Sequence, residues 1–576
     1  MRGMQNFGVI LSVLLLALGL LIGSQGLTFE DAKKNETQTS AGKFIDVTER
    51  FGIHFKHEAS PTSRKYLPET MGSGVALLDY DNDGRLDIFF TNGARIDDPM
   101  PSGKPPQKDG PKYWNRLFHQ KPDGIFEDVT EKAGLAGTGY STGIAVGDYD
   151  NDGYEDIFVA GFGHNTLYHN NGDGTFRDVT QSAGVAGSGW STSAAWVDYD
   201  NDGHLDLVVV RYMEWSFKDI FCGERREGYR AYCHPELFKP VSSLLYHNDG
   251  NGKFTEVSHK AGIDKPGKGL GVAIADYDHD GWIDILIAND AIPQYLFHNK
   301  GNGTFEEVGM VAGVALDNSG TAFSGMGVDF EDYNNDGWPD IVITDLANQR
   351  YALFSNTAEG VFDYTTNSTG LGNITLLHSG WGARFVDYDN DGWKDLLFAQ
   401  SHVMDTIEAT QPQLRYREPP LLVHNEHGTR FVDVSQTAGD LFRQRWAARG
   451  LAIGDINNDG KIDAVVSSTN GPAWVLINET ASSNHWIGLN LVGVRSNRDG
   501  IGARVKISTM AGDQYATVST AGSYQSASDR RVHFGLGAET LVKEIQIHWP
   551  SGTVQSLQNV KADQFLTVKE ASPPGN

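Results

Sequence analysis

The stretch Leu77-Leu78-Asp79-Tyr80-Asp81-Asn82-Asp83-Gly84-Arg85-Leu86-Asp87-Ile88-Phe89-Phe90 reads as strand, acidic loop, strand. Four carboxylates stand at loop positions 1, 3, 5 and 9, and glycine stands at 6. A hard divalent cation gathers several oxygens at once, so alternate side chains of a curled loop must point inward, and glycine permits the sharp bend. The pattern returns six times. Asp148, Asp150, Asp152 and Asp156 form the second loop, and Asp198, Asp200, Asp202 and Asp206 the third. Asp276, Asp278, Asp280 and Asp284 form the fourth; Asp332, Asn334, Asp336 and Asp340 the fifth. Asp387, Asp389, Asp391 and Asp395 form the sixth; Asp455, Asn457, Asp459 and Asp463 the seventh. A single acidic turn with glycine is common without metal. Seven with the same positions filled point to Ca2+ in up to seven loops.

An EF-hand would need glutamate at position 12 and flanking helices. Position 12 here is Phe90, Val159, Val209, Ile287, Ile343, Phe398 and Val466, all apolar. Tandem nonapeptide arrays crowd their acidic turns together, whereas these loops lie at the spacing of propeller blades, about fifty to eighty residues. Each loop joins two apolar runs; a shorter strand such as Leu296-Phe297-His298-Asn299 follows, and then a glycine-rich turn into a Phe-led strand. The Phe-led strand occurs at Phe44, Phe126, Phe176, Phe254, Phe305, Phe362 and Phe431, so the first copy precedes every loop and the last loop lacks one. A ring closed by the Phe44 strand joining the last blade uses every element once and leaves no open edge. The expected architecture is all-β: a seven-bladed β-propeller over 44–480, closed by 44–48, followed by a small β domain over 484–570 and a tail over 571–576.

The 576 residues hold 74 acidic and 47 basic side chains, a formal net charge of −27. Nucleic acid is an unsuitable partner for such a surface. Residues 1–26 carry Arg2, an apolar run from Phe7 to Ile22 and small residues after it, the pattern of a signal peptide; an uncleaved anchor is the alternative. Residues 27–43 read as a flexible linker. No later segment is long and apolar enough to span a bilayer. The expected location is secreted, periplasmic or cell-surface. Cys222 and Cys233 are the only cysteines, and in an oxidising compartment their pairing closes a short loop worth about 3 kcal/mol. A metal site using both with His234 is the alternative.

Past residue 484 the repeat stops. Asp499-Gly500-Ile501-Gly502-Ala503-Arg504-Val505, His533-Phe534-Gly535-Leu536-Gly537 and Trp549-Pro550-Ser551-Gly552 resemble the ASPIC/UnbV domain. The Asp-Tyr-Asp-Asn-Asp-Gly loops and Phe-led strands resemble FG-GAP (VCBS) repeats, the propeller type of integrin α-subunits. Together they resemble the cartilage acidic protein family and its bacterial relatives. The resemblance implies a secreted calcium-binding protein with adhesion or recognition roles and no established catalysis.

Strand alternation puts the acidic loops on one face and every long insertion on the other: 54–73, 92–116, 211–243, 401–420 and 440–450. The 211–243 insertion interleaves Arg225, Arg226 and Arg230 with Trp215 and Tyr229, residue types enriched at interface hot spots, and is the candidate ligand loop for an extracellular protein or polysaccharide. A disulfide-stapled loop folding on its own aromatics is the bland reading. No H-E-x-x-H or Walker loop is present. His54, His57, His402, Glu69 and Asp405 lie in insertion-face loops, and a carbohydrate-active enzyme (polysaccharide lyase or hydrolase) using that face is the second reading.

Overall fold

The computed structural model describes residues 42–226 and 228–572. The expected signal segment, the linker as far as residue 41 and residues 573–576 lie outside the described residues. Gly42 packs against Leu422 and Tyr388, and Lys43 N donates to Thr480 Oγ1 at 3.0 Å. The last two residues of the expected linker therefore belong to the folded body.

Seven four-stranded sheets form the first part of the chain. In the second, Tyr140–Gly147, Asp156–Phe162, Thr166–Asn170 and Phe176–Asp178 pair in antiparallel succession. The second strands are buried along almost their whole length, as in Asp206–Arg211, because sheets cover both their faces. Each first, inner strand lies against those of the sheets before and after, and Val75–Leu78 against Ala448–Gly454 completes the cycle. Phe44–Asp46 pairs antiparallel with Trp474–Asn478, Phe44 opposite Asn478, and so supplies the outer strand of the last sheet. The result is a β-propeller.

Two residue types fasten each blade to the next. The tyrosine at loop position 2 wedges against the following blade's Phe-led strand: Tyr80 on Phe176, Tyr149 on Phe254, Tyr199 on Phe305, Tyr277 on Phe362, Tyr333 on Phe431, with ring centroids 5.5–5.9 Å apart. The amide ending each third strand donates to the position-2 carbonyl of the preceding blade's loop. The series Asn170, Asn248, Asn299, Asn356, Asn425, Asn478 and Gln120 runs right round the ring at 2.7–3.0 Å, Gln120 reaching Ile456 O.

The C-terminal segment forms two further sheets. His485–Val492 lies between antiparallel Val532–Gly537 and parallel Gln564–Lys569, while Arg504–Ser508 and Leu541–His548 are central in a four-stranded sheet. Their core includes Ile487, Val505, Phe534, Ile545 and Trp549.

This β segment packs into the propeller through one of its connections. The described residues fall in one compact unit, and the connection 518–531 runs into the propeller's axis. It enters at the acidic-loop face, turns at Tyr524 and returns. Ser523 exchanges backbone bonds with Val328, and Ala527 with Val75 and Leu77; Ile144 N donates to Gln525 O, and Asp529 N to Ile453 O. Inner strands present an unpaired edge to the axis, so a peptide seated there satisfies groups that would otherwise need water. Tyr524 is fully buried, its hydroxyl donating to Met71 O at 3.0 Å and its ring 4.8 Å from Trp381. Glycine lets the parts meet: a Cβ at Gly74 would stand 1.8 Å from Gln525 O.

Tyr524→Ala is expected to destabilise the whole protein by about 3–5 kcal/mol, as large aromatic truncations do, and Tyr524→Phe by about 1 kcal/mol for the lost hydroxyl bond. Denaturant melts should show one transition moving in both variants. An unmoved propeller transition in Tyr524→Ala would show that the axial segment does not support the ring.

Candidate functional site

Each acidic loop is drawn into shape by its own backbone. The position-6 N–H donates to the position-1 carboxylate at 2.7–3.1 Å in all seven. The position-7 N–H donates to the position-5 carboxylate at 2.9–3.0 Å. The position-9 carboxylate is buried at the foot of the loop and accepts from the backbone N–H of the third strand's terminal amide residue at 2.7–2.8 Å. Position 4 is left-handed throughout, φ +54° to +61°, a conformation asparagine tolerates better than most residues. Its amide reaches the position-6 carbonyl of the next loop from Asn82, Asn151, Asn201, Asn335, Asn390 and Asn458, at 2.8–3.1 Å. In the fourth loop His279 stacks on Trp338 instead, ring centroids 4.0 Å apart.

These bonds leave some inward oxygens unsatisfied. Asp81 Oδ1, Asp87 Oδ2, Asp200 Oδ1 and Asp276 Oδ1 are buried without a hydrogen-bond partner. Desolvation, with neighbouring carboxylates adding to it, pushes Asp148 and Asp198 up to about 8 and Asp332 and Asp455 up to about 7. At position 9, burial pushes Asp156, Asp206 and Asp284 up to about 7. Carboxylates crowded in this way need either protons or a cation, and the donor set, hard oxygens on a tight loop, fits Ca2+.

The sequence reading missed the imidazoles. His119, His169, His247, His298 and His424, each one residue before the end of a third strand, direct Nδ1 at these carboxylates over 3.0–3.6 Å. The repeated His-Asn pair in Leu167-Tyr168-His169-Asn170 and its copies was the available signal.

The C-terminal motifs dock on this same face. Asp499 Oδ2 accepts from Asp148 N at 2.7 Å, and Arg504 faces Asp276 at 3.5 Å. Arg530 is held between Glu155 at 3.0 Å and Asp499 at 3.6 Å, and Glu155 in turn accepts from Asp79 N. Arg531 donates to Asp455 O and Asn458 Oδ1, and Lys394 donates to His533 O. Gly535 passes so close to the sixth loop that a Cβ would stand 2.1 Å from Asp387 Oδ2.

On the opposite face the insertions meet on segment 54–73. Ser63 N donates to Asp98 at 2.6 Å, Arg64 pairs with Asp219, Lys65 with Asp405, and Thr70 Oγ1 donates to Val403 O at 2.7 Å. Cys222 and Cys233 are bridged. Of the candidate ligand loop, Arg230 is spent on Asp219 and Arg64 O, and Trp215 packs edge-on to Phe162, Trp190 and Tyr66. Arg226 stacks over Tyr229 and pairs with Glu224, while Arg225 lies over the exposed Phe221. The insertion-face residues considered for catalysis have local partners. Glu69, burial pushing it up to about 7, accepts from Thr62 and Tyr66; His57 Nδ1 accepts from Asn470 N; His402 Nδ1 accepts from Met404 N; His54 faces Glu49. Of these five, Asp405 alone pairs across two insertions among the described residues, through Lys65.

Comparison with known proteins agrees with this architecture. The FG-GAP-like repeat family matches residues 79–159, 148–209, 218–287, 280–343 and 332–398, and the ASPIC and UnbV family matches 493–574. Cartilage acidic protein 1 of Mus musculus is 25% identical over 324 residues, 55% of this chain and 47% of that protein. The Homo sapiens protein is 24% identical over 323 residues, 55% of this chain and 46% of its own length. The chain thus spans about half the length of these relatives. Among solved structures, YCF48 bound to D1 peptide covers 76% of this chain and 96% of its own, at 7% identity and a TM-score of 0.40. The chain belongs to the FG-GAP-like repeat family, carries an ASPIC and UnbV domain at its C-terminal end, and is homologous to cartilage acidic protein 1.

Proposed function

We propose that this protein is a secreted, calcium-dependent adhesion or recognition protein, with cations structural on one face and a ligand taken by the opposite cap. The observation that carries the reading is the set of buried, partnerless carboxylate oxygens in the first, third and fourth loops, at Asp81, Asp87, Asp200 and Asp276. Asp79, Asp81, Asp83 and Asp87, and their counterparts in the other loops, would hold the ion. Its charge would offset repulsion among carboxylates that the fold cannot separate. Because Asp499, Arg504 and Arg530 dock against the same loops, an ordered loop also orders the seat of the C-terminal domain. Homology to cartilage acidic protein 1 supports the recognition role, and among the described residues no helix is long and apolar enough to cross a membrane.

The cap's free surface narrows the ligand contact. Ile220, Phe221 and Leu237 are exposed beside Arg225 and Arg226. An anionic polysaccharide or an acidic protein surface suits that mixture of aromatic, aliphatic and guanidinium groups.

Chelation at pH 7.5 is expected to lower the melting temperature by an order of 10 °C, since each ion at a hundredfold excess over its dissociation constant contributes about 2.7 kcal/mol. The pH dependence follows from the raised carboxylates. Their folded-state pKa values near 7 to 8 exceed the ordinary 3.8, so the metal-free fold takes up protons. Its stability is greatest at acid pH and falls as pH rises through 7 to 8. The calcium-induced shift in melting temperature should therefore be larger at pH 8 than at pH 5; equal shifts, or none, would contradict the reading. Separately, Arg225→Glu with Arg226→Glu should weaken binding to a sulfated polysaccharide or acidic matrix protein at least tenfold without moving the melting curve. Unchanged binding to both in surface resonance would remove the cap loop as the contact.

A further inference from the structure

The fifth and sixth blades break the repeat where the others keep it. Three residues before the acidic loop the inner strand carries Ala76, Ala145, Ala195, Ala273 and Ala452, but Asp329 in the fifth blade and Arg384 in the sixth. One residue before the loop stand Leu78, Gly147, Val197, Ala275, Val386 and Gly454, but Glu331 in the fifth. Asp329 and Arg384 pair at 3.0 Å, and Arg384 Nη1 also donates to Ala521 O of the axial segment at 2.9 Å, so these two have a structural use. The Glu331 side chain shows no such use: its Oε2 is buried without a hydrogen-bond partner among the described residues.

Over Glu331 stands one face of the C-terminal four-stranded sheet. Strand alternation sends Val505 and Ile507 into the core of that segment and Arg504 and Lys506 to the other side. The register sets Thr517 and His548 beside Arg504, and Tyr515 and Gln546 beside Lys506. This polar face does not close on the fourth and fifth blades. A cavity of about 260 Å3 remains, walled by Arg504, Tyr515 and His548 from the sheet and by His279, Phe330 and Glu331 from the propeller. Arg504 Nη1 is buried there, 3.5 Å from Asp276 and without a hydrogen-bond partner. A smaller chamber of about 80 Å3 shares Phe330, Glu331 and Thr517 in its wall and is lined by the buried Arg384, whose Nε is likewise partnerless.

We propose that this cavity binds a small zwitterion of the amino-acid kind, its ammonium group on Glu331 and its carboxylate on Arg504. A buried charge without a partner is costly, and the wall carries one of each sign. A simple anion would satisfy Arg504 and leave Glu331 bare; a simple cation would do the reverse. A molecule with opposite charges at its two ends satisfies both, through the charge-assisted bonds that guanidinium and carboxylate groups make best. The rings of Phe330 and Tyr515 offer its body an apolar wall. The volume is far above the ~10–15 Å3 that a single water needs.

Calorimetry on the intact chain in calcium buffer tests this with glycine, leucine, γ-aminobutyrate and ε-aminocaproate, and with the half-molecules butyrate and butylammonium. At least one zwitterion should bind one per chain, at least tenfold tighter than either half-molecule. Glu331→Val installs the residue found at the same place in the third and sixth blades, so its melting temperature should hold or rise while zwitterion binding weakens at least tenfold. Glu331→Gln should weaken binding likewise. Arg504→Gln should remove the advantage of γ-aminobutyrate over butylammonium. No zwitterion bound at millimolar concentration, or binding that survives Glu331→Val, would overturn the proposal. Loss of stability in Glu331→Val with unchanged binding in Glu331→Gln would assign the carboxylate a structural role and overturn it as well.

Discussion

The structure depends on carboxylates that are held too close together in too little water. Positions 1 and 5 of every loop spend part of their hydrogen-bonding capacity on the loop's own N–H groups, and position 9 on the N–H that ends the third strand, which fixes the curl but also removes hydration. Bringing like charges into a desolvated site is unfavourable unless a proton or a cation compensates. From that single constraint follow the loop's shape, the contact between successive loops through the position-4 amides, and the seat on which the C-terminal sheets rest.

The two faces of the ring are therefore built by different physics. On the loop face, order comes from charge: Arg504, Arg530 and Arg531 of the C-terminal segment meet Asp276, Glu155 and the Asp455 carbonyl. On the insertion face it comes from aromatic packing, with Trp190, Tyr212, Trp381 and Tyr524 in one buried cluster and ion pairs such as Arg64–Asp219 and Lys65–Asp405 at its rim. Tyr524 belongs to both, since it is the tip of the segment that enters from the loop face and ends in the aromatic cluster. A change at either face is thereby felt along the axis.

Much of the ring was legible in the sequence because its signals are local and repeated. The acidic positions, the position-6 glycines and the Phe-led strands recur in register, and the lone Phe44 copy disclosed closure. The axial segment was not legible. Ser519 to Ser528 reads as a polar linker, and nothing in its local pattern tells that Ser523 and Ala527 pair with Val328 and Val75, some two hundred and four hundred and fifty residues away. The histidines were hidden for another reason: one polar residue beside an asparagine at a strand end looks like a surface position until the strand is set beside the loop. The cap's arginines looked free because the sequence does not say which carboxylate folds onto them. Asp219 was eleven residues from Arg230 and took its charge.

Hydrogen exchange of the intact chain, with calcium and after chelation, tests the central claim most directly. If cations in the loops order the seat of the C-terminal domain, chelation will speed exchange in the acidic loops and in residues 518–531 together, and calcium will restore both. Loops that deprotect while the axial segment keeps its protection would contradict the account, because the two would then not be one unit.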